Sequence, residues 1–265
     1  MHTSFDLVTT PEGVSYLACR GLEAPHGFST RVGGLSAGPY ASLNLGVSSG
    51  DELDVVHANR ARWAGALGLT PPIVSLHQVH GPEVHAVSDR PAEALKGDAV
   101  ITDVPGLPVS VFTADCTPIL LHDPESGAVG AVHAGWRGTV AHVVARTVAA
   151  MAARYGARPE NLRAAIGPAI GPCCFEVGHE VVEAASQSPW RGWEQAVVDR
   201  SPRPHFDLFA ANEAQLLEAG LAPAHVFNSR MCTSCREDLF YSWRRDQAVT
   251  GRMQAAIAAL EKSPA

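Results

Sequence analysis

The sequence predicts an α/β fold, written as a single layered α/β/α domain over residues 1–265 around a mixed central sheet. Three observations predict it. Hydrophobic residues make up 46% of the 265 residues and charged residues only 18%. That is ample material for a core and too much for a disordered chain. Short apolar runs bounded by turn residues recur along the chain, many of them apolar at consecutive positions, as in strands covered on both faces. Segments with helical spacing alternate with these runs.

In chain order, the spacing predicts a helix over 54–67, then strands over 73–77, 84–87, 99–102, 109–113, 119–122 and 128–133. Next comes the clearest helix. Val140, Val143, Val144, Thr147, Val148, Met151 and Tyr155 fall three and four apart on one face, and Gly156 follows as a natural stop. A strand over 162–166 and a helix over 178–186 come next. Residues 188–204 hold Trp190, Trp193 and three prolines without a pattern, as expected of a surface insertion or long loop. Asp207 is placed to cap a helix over 208–219. A strand over 225–227 and a last helix over 249–260 complete the prediction, and residues 261–265 are expected to fray.

Composition excludes several function classes. Lys and Arg number 20 against 27 Asp and Glu, a net charge of −7. Nucleic-acid backbones demand a basic face, so no general nucleic-acid binding is expected. No window approaches the ~18 uninterrupted apolar residues of a membrane span. The start, MHTSFDLVTT, has neither a basic segment nor an apolar one, so no signal peptide and a cytoplasmic location are expected. A monomer or weak homo-oligomer is expected. Six cysteines are too few for a disulfide scaffold at this length. Cys173 with Cys174, and the Cys232–Cys235 CTSC pair, bring zinc and redox motifs to mind. Adjacent cysteines lack zinc-knuckle spacing and CTSC lacks a thioredoxin-like context, so these four read as loop thiols lining the same cleft.

The densest chemistry lies between Leu76 and Gly138, in LHQVHG, TADCTP and AVHAGWRG. His80, Cys116 and His133 stand at three strand-like ends, where function gathers in helix-covered sheets. Two imidazoles and a thiolate make a first shell for Zn2+ with a fourth position open. His77 competes with His80, because two residues three apart in a strand face opposite ways. The Gly81–Pro82 turn favours His80. Cys116 and His133 also allow a thiol-hydrolase dyad, which would want a carboxylate to orient the histidine. Asp115 is the neighbouring candidate. The Gly-rich stretch from His26 to Gly46 can close backbone N–H groups of Gly33 and Gly34 on an anion, with Arg31 for charge, or be a plain surface loop. Arg137 can hold an anionic substrate group or pair with a carboxylate.

HGFSTRVGG, NLG, QVHG, GDAVIT, TADCTPILLHD, AVHAGWRGT, IGPAIGPCCFEVG and YSWRRDQAVTGRM occur in order from about residue 26 to 254. In these motifs the chain resembles the YfiH-like family, named for polyphenol oxidase or "multicopper laccase" domains and tied to purine nucleoside phosphorylase activity. The resemblance implies a single α/β/α domain with a core similar to that of a deamidating bacterial toxin. It implies a metal site on His80, Cys116 and His133, with Zn2+ the occupant and Cu2+ an alternative. It implies phosphorolysis of adenosine, inosine and methylthioadenosine, with adenosine deamination and weak phenol oxidation alongside. A cysteine or zinc amidase acting on peptidoglycan precursors is the alternative.

For such a phosphorylase the small-molecule partners are a nucleoside and phosphate. The expected roles are phosphate on Arg31, Gly33 and Gly34, with Arg137 in support, and a ribose hydroxyl on Asn44. Asp115 or His77 would carry protons beside Cys116 and His133. A multicopper oxidase needs about ten histidines arranged around four coppers. The 12 histidines here include no His-x-His pair, so phenol oxidation is expected only as a side activity of adventitious copper.

Overall fold

Strands that are apolar at every position need cover on both faces, and the structure supplies it by stacking two sheets between helices. The computed structural model describes residues 4–260, apart from 94 and 248. The fraying expected of 261–265 lies outside the described residues. Among the described residues the strands are β1 (Phe5–Thr9), β2 (Ser15–Cys19), β3 (His26–Ser29), β4 (Val74–Ser75), β5 (Val84–Ala86), β6 (Ala99–Thr102) and β7 (Pro108–Thr113). They continue with β8 (Thr117–His122), β9 (Val129–Ala134), β10 (Arg163–Ile166), β11 (Val197–Val198), β12 (His205–Phe206), β13 (Val226–Asn228) and β14 (Met253–Ala258). The helices are α1 (Leu53–Ala66), α2 (Trp136–Val140), α3 (Val143–Tyr155), α4 (His179–Gln187) and α5 (Leu208–Glu218). None is long and apolar enough to cross a membrane.

The α/β class stands, but its middle is two mixed sheets rather than one. The first runs β1-β2-β3-β14-β7-β4 and the second β13-β10-β8-β9-β6-β5. Three apolar layers follow. Val109, Val111, Ala255 and Ile257 of the first sheet meet Val100, Leu120, Val129 and Ala131 of the second. Ile101, Ile119, Leu121 and Val132 point the other way, to Val144, Val148 and Met151 of α3 and to Phe209 and Leu216 of α5. On the far side of the first sheet, Ala256 and Ala258 pack with Trp63 of α1. The order is therefore helix, sheet, sheet, helix. Alternate residues of one strand enter different cores, which is why these strands lack a polar face.

The largest departure from the sequence prediction is the last element. Residues 253–258 form a central strand, not part of a helix: β14 lies between β3 and β7 and pairs antiparallel with both. Ala255 and Ile257 enter one core and Ala256 and Ala258 the other. A strand covered on both sides by small residues has no period to separate it from a helix. Strands β1 to β3 also went unpredicted, and β3 opens the segment read as a Gly-rich loop. The helix expected from Val140 is broken by His142 at φ 62° and resumes as α3. Gly156, at φ 71°, closes α3 by giving its N–H to Ala152. Asp207 caps α5 as expected, accepting from the Ala210 N–H at 3.0 Å. The stretch 188–204 contributes β11, which pairs with β12, and it buries Trp190.

Candidate active site and metal centre

Strand register brings the site together. In the β8–β9 ladder Thr117 faces Ala134 and Pro118 faces His133, so Cys116 leaves the sheet beside Gly135. In the β6–β9 ladder Ala99 faces Val132, so Asp98 arrives beside His133. His80 comes from the loop after β4, at φ 60°. Ligand atoms of His80, Cys116 and His133 all lie within 4.8 Å of one another. The two imidazoles meet edge to face with centroids 4.8 Å apart.

Asp98 holds this arrangement, and sequence reasoning missed it. Its fully buried carboxylate accepts the backbone N–H groups of Val79, His80 and Gly81 at 3.2, 2.9 and 2.7 Å. The same carboxylate bonds His133 Nδ1 at 2.8 Å, and the Asp98 carbonyl accepts the His133 N–H at 2.7 Å. One side chain therefore fixes the His80 turn and orients the His133 ring. Burial pushes the Asp98 carboxyl up, but the bonds from His133, Gly81 and Val79 outweigh it and hold it below its ordinary value. The signal was present in GDAVIT, where a carboxylate precedes a buried strand.

Cys116 and His133 polarise each other. Burial alone would raise the thiol, yet the charge and hydrogen bonds of His133, aided by His80, bring it down to about 6. Burial disfavours the His133 imidazolium, yet Cys116 and Asp98 raise it to about 9. Without a metal, the pair is a thiolate facing an imidazolium across most of the neutral range. The donor set fits a borderline-soft divalent ion such as zinc. Two nitrogens and a thiolate converge, and the second nitrogen of His133 is already engaged by a carboxylate, as in the outer shell of zinc sites. Gly135 leaves the room: a Cβ there would lie 2.8 Å from Cys116 Sγ and 3.0 Å from His80 Nδ1.

Asp115, at φ 89°, turns away from His133. Its carboxylate accepts the Thr233 hydroxyl at 2.6 Å and the Arg244 N–H at 2.7 Å. The orienting carboxylate is thus Asp98, not Asp115. Asn44 is fully buried, giving Nδ2 to Ser49 and Asp51 and accepting the N–H groups of Gly46 and Arg252. That leaves it no reach to a ribose, correcting the role expected of it. The Gly33 and Gly34 N–H groups both go to Ser42 Oγ at 3.1 Å, so they serve their own loop instead of an anion. Arg31 gives Nε to the Ala41 carbonyl and Nη1 to that of Glu237, and lies over the Tyr241 ring. His77 is exposed and its backbone bridges Lys96. Arg137 is exposed and lies over Trp136, 4.3 Å from the ring centroid.

A second residue missed by the sequence reading is Arg252, in TGRM. Burial lowers its guanidinium, and the charges of Cys116, Asp115 and Tyr40 act on it in the opposite sense. It is therefore a half-buried cation beside the site. A cleft of about 310 Å³ is lined by Trp136, Phe175, Glu176, Glu180, Arg203 and Arg244, among others.

A family model described as "Multi-copper polyphenol oxidoreductase laccase" matches residues 25–260. The chain is 45% identical over 249 residues to a Deinococcus radiodurans protein named purine nucleoside phosphorylase, covering 94% of each. It is 36% identical over 252 residues to "Adenosine deaminase RL5" from an unknown prokaryotic organism, covering 90% of this chain and 95% of that one. Among solved structures, YlmD from Geobacillus stearothermophilus matches with a TM-score of 0.88 at 38% identity, over 98% of this chain and 100% of that one.

Proposed function

The chain belongs to the multi-copper polyphenol oxidoreductase laccase family, and from that premise we propose that it is a nucleoside-processing enzyme, a zinc-dependent purine nucleoside phosphorylase. The carrying observation is the convergence of His80, Cys116 and His133 on one point with Asp98 behind them. Relatives named purine nucleoside phosphorylase and adenosine deaminase support the substrate class.

His80, Cys116 and His133 would hold the metal. When bound, zinc supplies Lewis-acid polarisation of a substrate oxygen at its open position. Phosphorolysis breaks the bond between ribose C1′ and the purine nitrogen while phosphate bonds C1′. Asp98 keeps the His133 Nδ1 proton in place, so the other nitrogen faces the centre in one tautomer. Arg252 brings positive charge beside Cys116 and suits phosphate, with Arg137 and Arg31 proposed as further cations for it. Trp136 and Phe175 offer aromatic faces to a purine. His77, exposed on the loop before His80, is left as a rim residue for the proton traffic of substrate binding. The same centre would serve adenosine deamination. Phenol oxidation would have to use Cu2+ at these three donors, because neither possible metal group among the described residues offers the histidine-rich set that four coppers need.

One observation favours a second reading. Cys116, His133 and Asp98 form the order of a thiol hydrolase triad, with a 2.8 Å bond from His133 to Asp98. That supports the thiol-hydrolase alternative, for which the substrates proposed are amides of cell-wall precursors. Adenosine incubated with and without phosphate separates the outcomes. Adenine with ribose 1-phosphate supports the phosphorylase, inosine the deaminase. Absence of both products, with chelator-resistant amide cleavage, would move the assignment to the thiol hydrolase.

A further inference from the structure

Outside this site, four cysteines from two loops meet. Ligand atoms of Cys173, Cys174, Cys232 and Cys235 all lie within 4.8 Å of one another. Cys235 Sγ is 3.5 Å from Cys173 Sγ and 3.4 Å from Cys174 Sγ. Spacing alone reads them as loop thiols, since adjacent cysteines do not have knuckle spacing. The structure supplies what spacing could not. Cys174 gives its N–H to the Gly171 carbonyl at 2.9 Å, curling residues 171–174 into a turn that brings both neighbouring thiols to Cys235.

We infer that Cys173, Cys174, Cys232 and Cys235 bind a second, structural zinc ion through four thiolates. A tetrahedral zinc with bonds of ~2.3 Å sets its sulfurs about 3.8 Å apart, and the observed cluster brackets that spacing. All four are free thiols, so no disulfide accounts for the convergence. Four soft donors in one closed shell select a metal such as zinc and leave no position for substrate. The surroundings suit thiolates. The Gly171 N–H donates to Cys232 Sγ at 3.2 Å. Arg245 donates to the carbonyls of Thr233 and Ser234 inside the CTSC turn, and Arg244 to that of Cys174. These cations offset the net negative charge that four thiolates leave on a divalent ion.

The cluster joins the loop after β10 to the loop after β13. The two run together there, with Ala169 bridging Cys232. The same loops hold Asp115 through Thr233, Arg244 and Ile170. The ion would thus clamp the segments that hold the residue next to Cys116.

The test is zinc content per folded chain, purified under reducing conditions. Cys116→Ala should keep one zinc, bound through sulfur alone, and Cys235→Ser should lose one zinc relative to the wild type. If Cys235→Ser fails to fold, cobalt loaded into Cys116→Ala should give the intense thiolate-to-cobalt absorption of a four-sulfur site. Folded Cys116→Ala with no zinc and no such cobalt band overturns the inference. So does a disulfide among the four cysteines, or iron in place of zinc. The two sites fail separately. If Cys116→Ala keeps all the wild-type zinc while Cys235→Ser is metal-free, the four-cysteine site stands and metal binding at Cys116 falls.

Discussion

The two clusters each gather cysteine thiols with other donors or with one another, but they differ in everything that would decide their use. His80, Cys116 and His133 stand at strand ends. Their mixed donors are backed by a buried carboxylate, and Gly135 packs against them where a Cβ would collide with Cys116 Sγ. Cys173, Cys174, Cys232 and Cys235 sit on loops, with sulfur donors only and a shell that four ligands close. Three ligands leave a position for chemistry, and four hold loops together. The rigid sheet register that delivers Cys116 and His133 suits a site where reacting atoms must be placed closely. A loop clamp needs no such support.

The largest effect separates the clusters by activity. Cys116→Ala should cut turnover by ~10³-fold or more, the several kcal/mol of charge stabilisation a catalytic metal supplies, with little change in melting temperature. Cys235→Ser should do the reverse, with the larger fall in melting temperature and the smaller fall in turnover. Kinetics and thermal melts on both variants check this, and equal falls in both quantities would break the comparison.

Next is Asp98→Asn. It keeps the shape but loses the charge behind His133, and it should weaken zinc binding at the first site by about 10–100-fold. Competition with a chromophoric chelator measures it. An unchanged affinity would make Asp98 a fold residue only.

The pH dependence is smaller per unit and has a definite sign. With Cys116 near 6 and His133 near 9, the free protein between those values carries a thiolate and an imidazolium. Zinc must then displace one proton, from His133. Below about 6 it must displace two, because Cys116 is protonated as well. Affinity should rise about tenfold per pH unit from 6 to 9, more steeply below 6, and level off above 9. Calorimetry in buffers of different ionisation heat counts those protons. A pH-independent affinity from 6 to 9 would contradict the ion pair.

The smallest contrast uses two glycines. A Cβ at Gly135 would stand 2.8 Å from Cys116 Sγ, whereas one at Gly171 would meet Cys232 Cβ at 3.2 Å and Cys173 Sγ at 3.3 Å. Gly135→Ala should expel zinc from the first site at a stability cost of about 1–3 kcal/mol. Gly171→Ala should retain zinc at the second with a slight loss of stability. Metal content and melts on both check it.

What was legible in the sequence follows the physics of each element. Strands β6 to β10 announced themselves through apolar runs between turns, and α3 and α5 through spacing and caps. Strand β14 did not, because Ala255 and Ala256 face different cores and leave no polar side. Residue types in QVHG, ADC and HAGW nominated His80, Cys116 and His133, but their approach depends on strand register, which no local spacing encodes. Asp98 and Arg252 lay in quoted motifs yet carried no chemistry until the ladders placed them. Asn44, Gly33 and Gly34 looked like binding groups because polar loops resemble sites, and here their hydrogen bonds are spent on the loop itself. The four loop cysteines failed on spacing for a related reason: a turn at Gly171 does what a two-residue gap does elsewhere.

The most direct test is phosphate-dependent release of hypoxanthine from inosine, with ribose 1-phosphate counted alongside, by zinc-loaded wild type and by folded Cys116→Ala. The wild type should yield base and sugar phosphate in equal amounts and stop when zinc is chelated, while Cys116→Ala should yield neither. Full turnover by Cys116→Ala, or by the chelated wild type, would contradict a catalytic role for the His80, Cys116 and His133 centre.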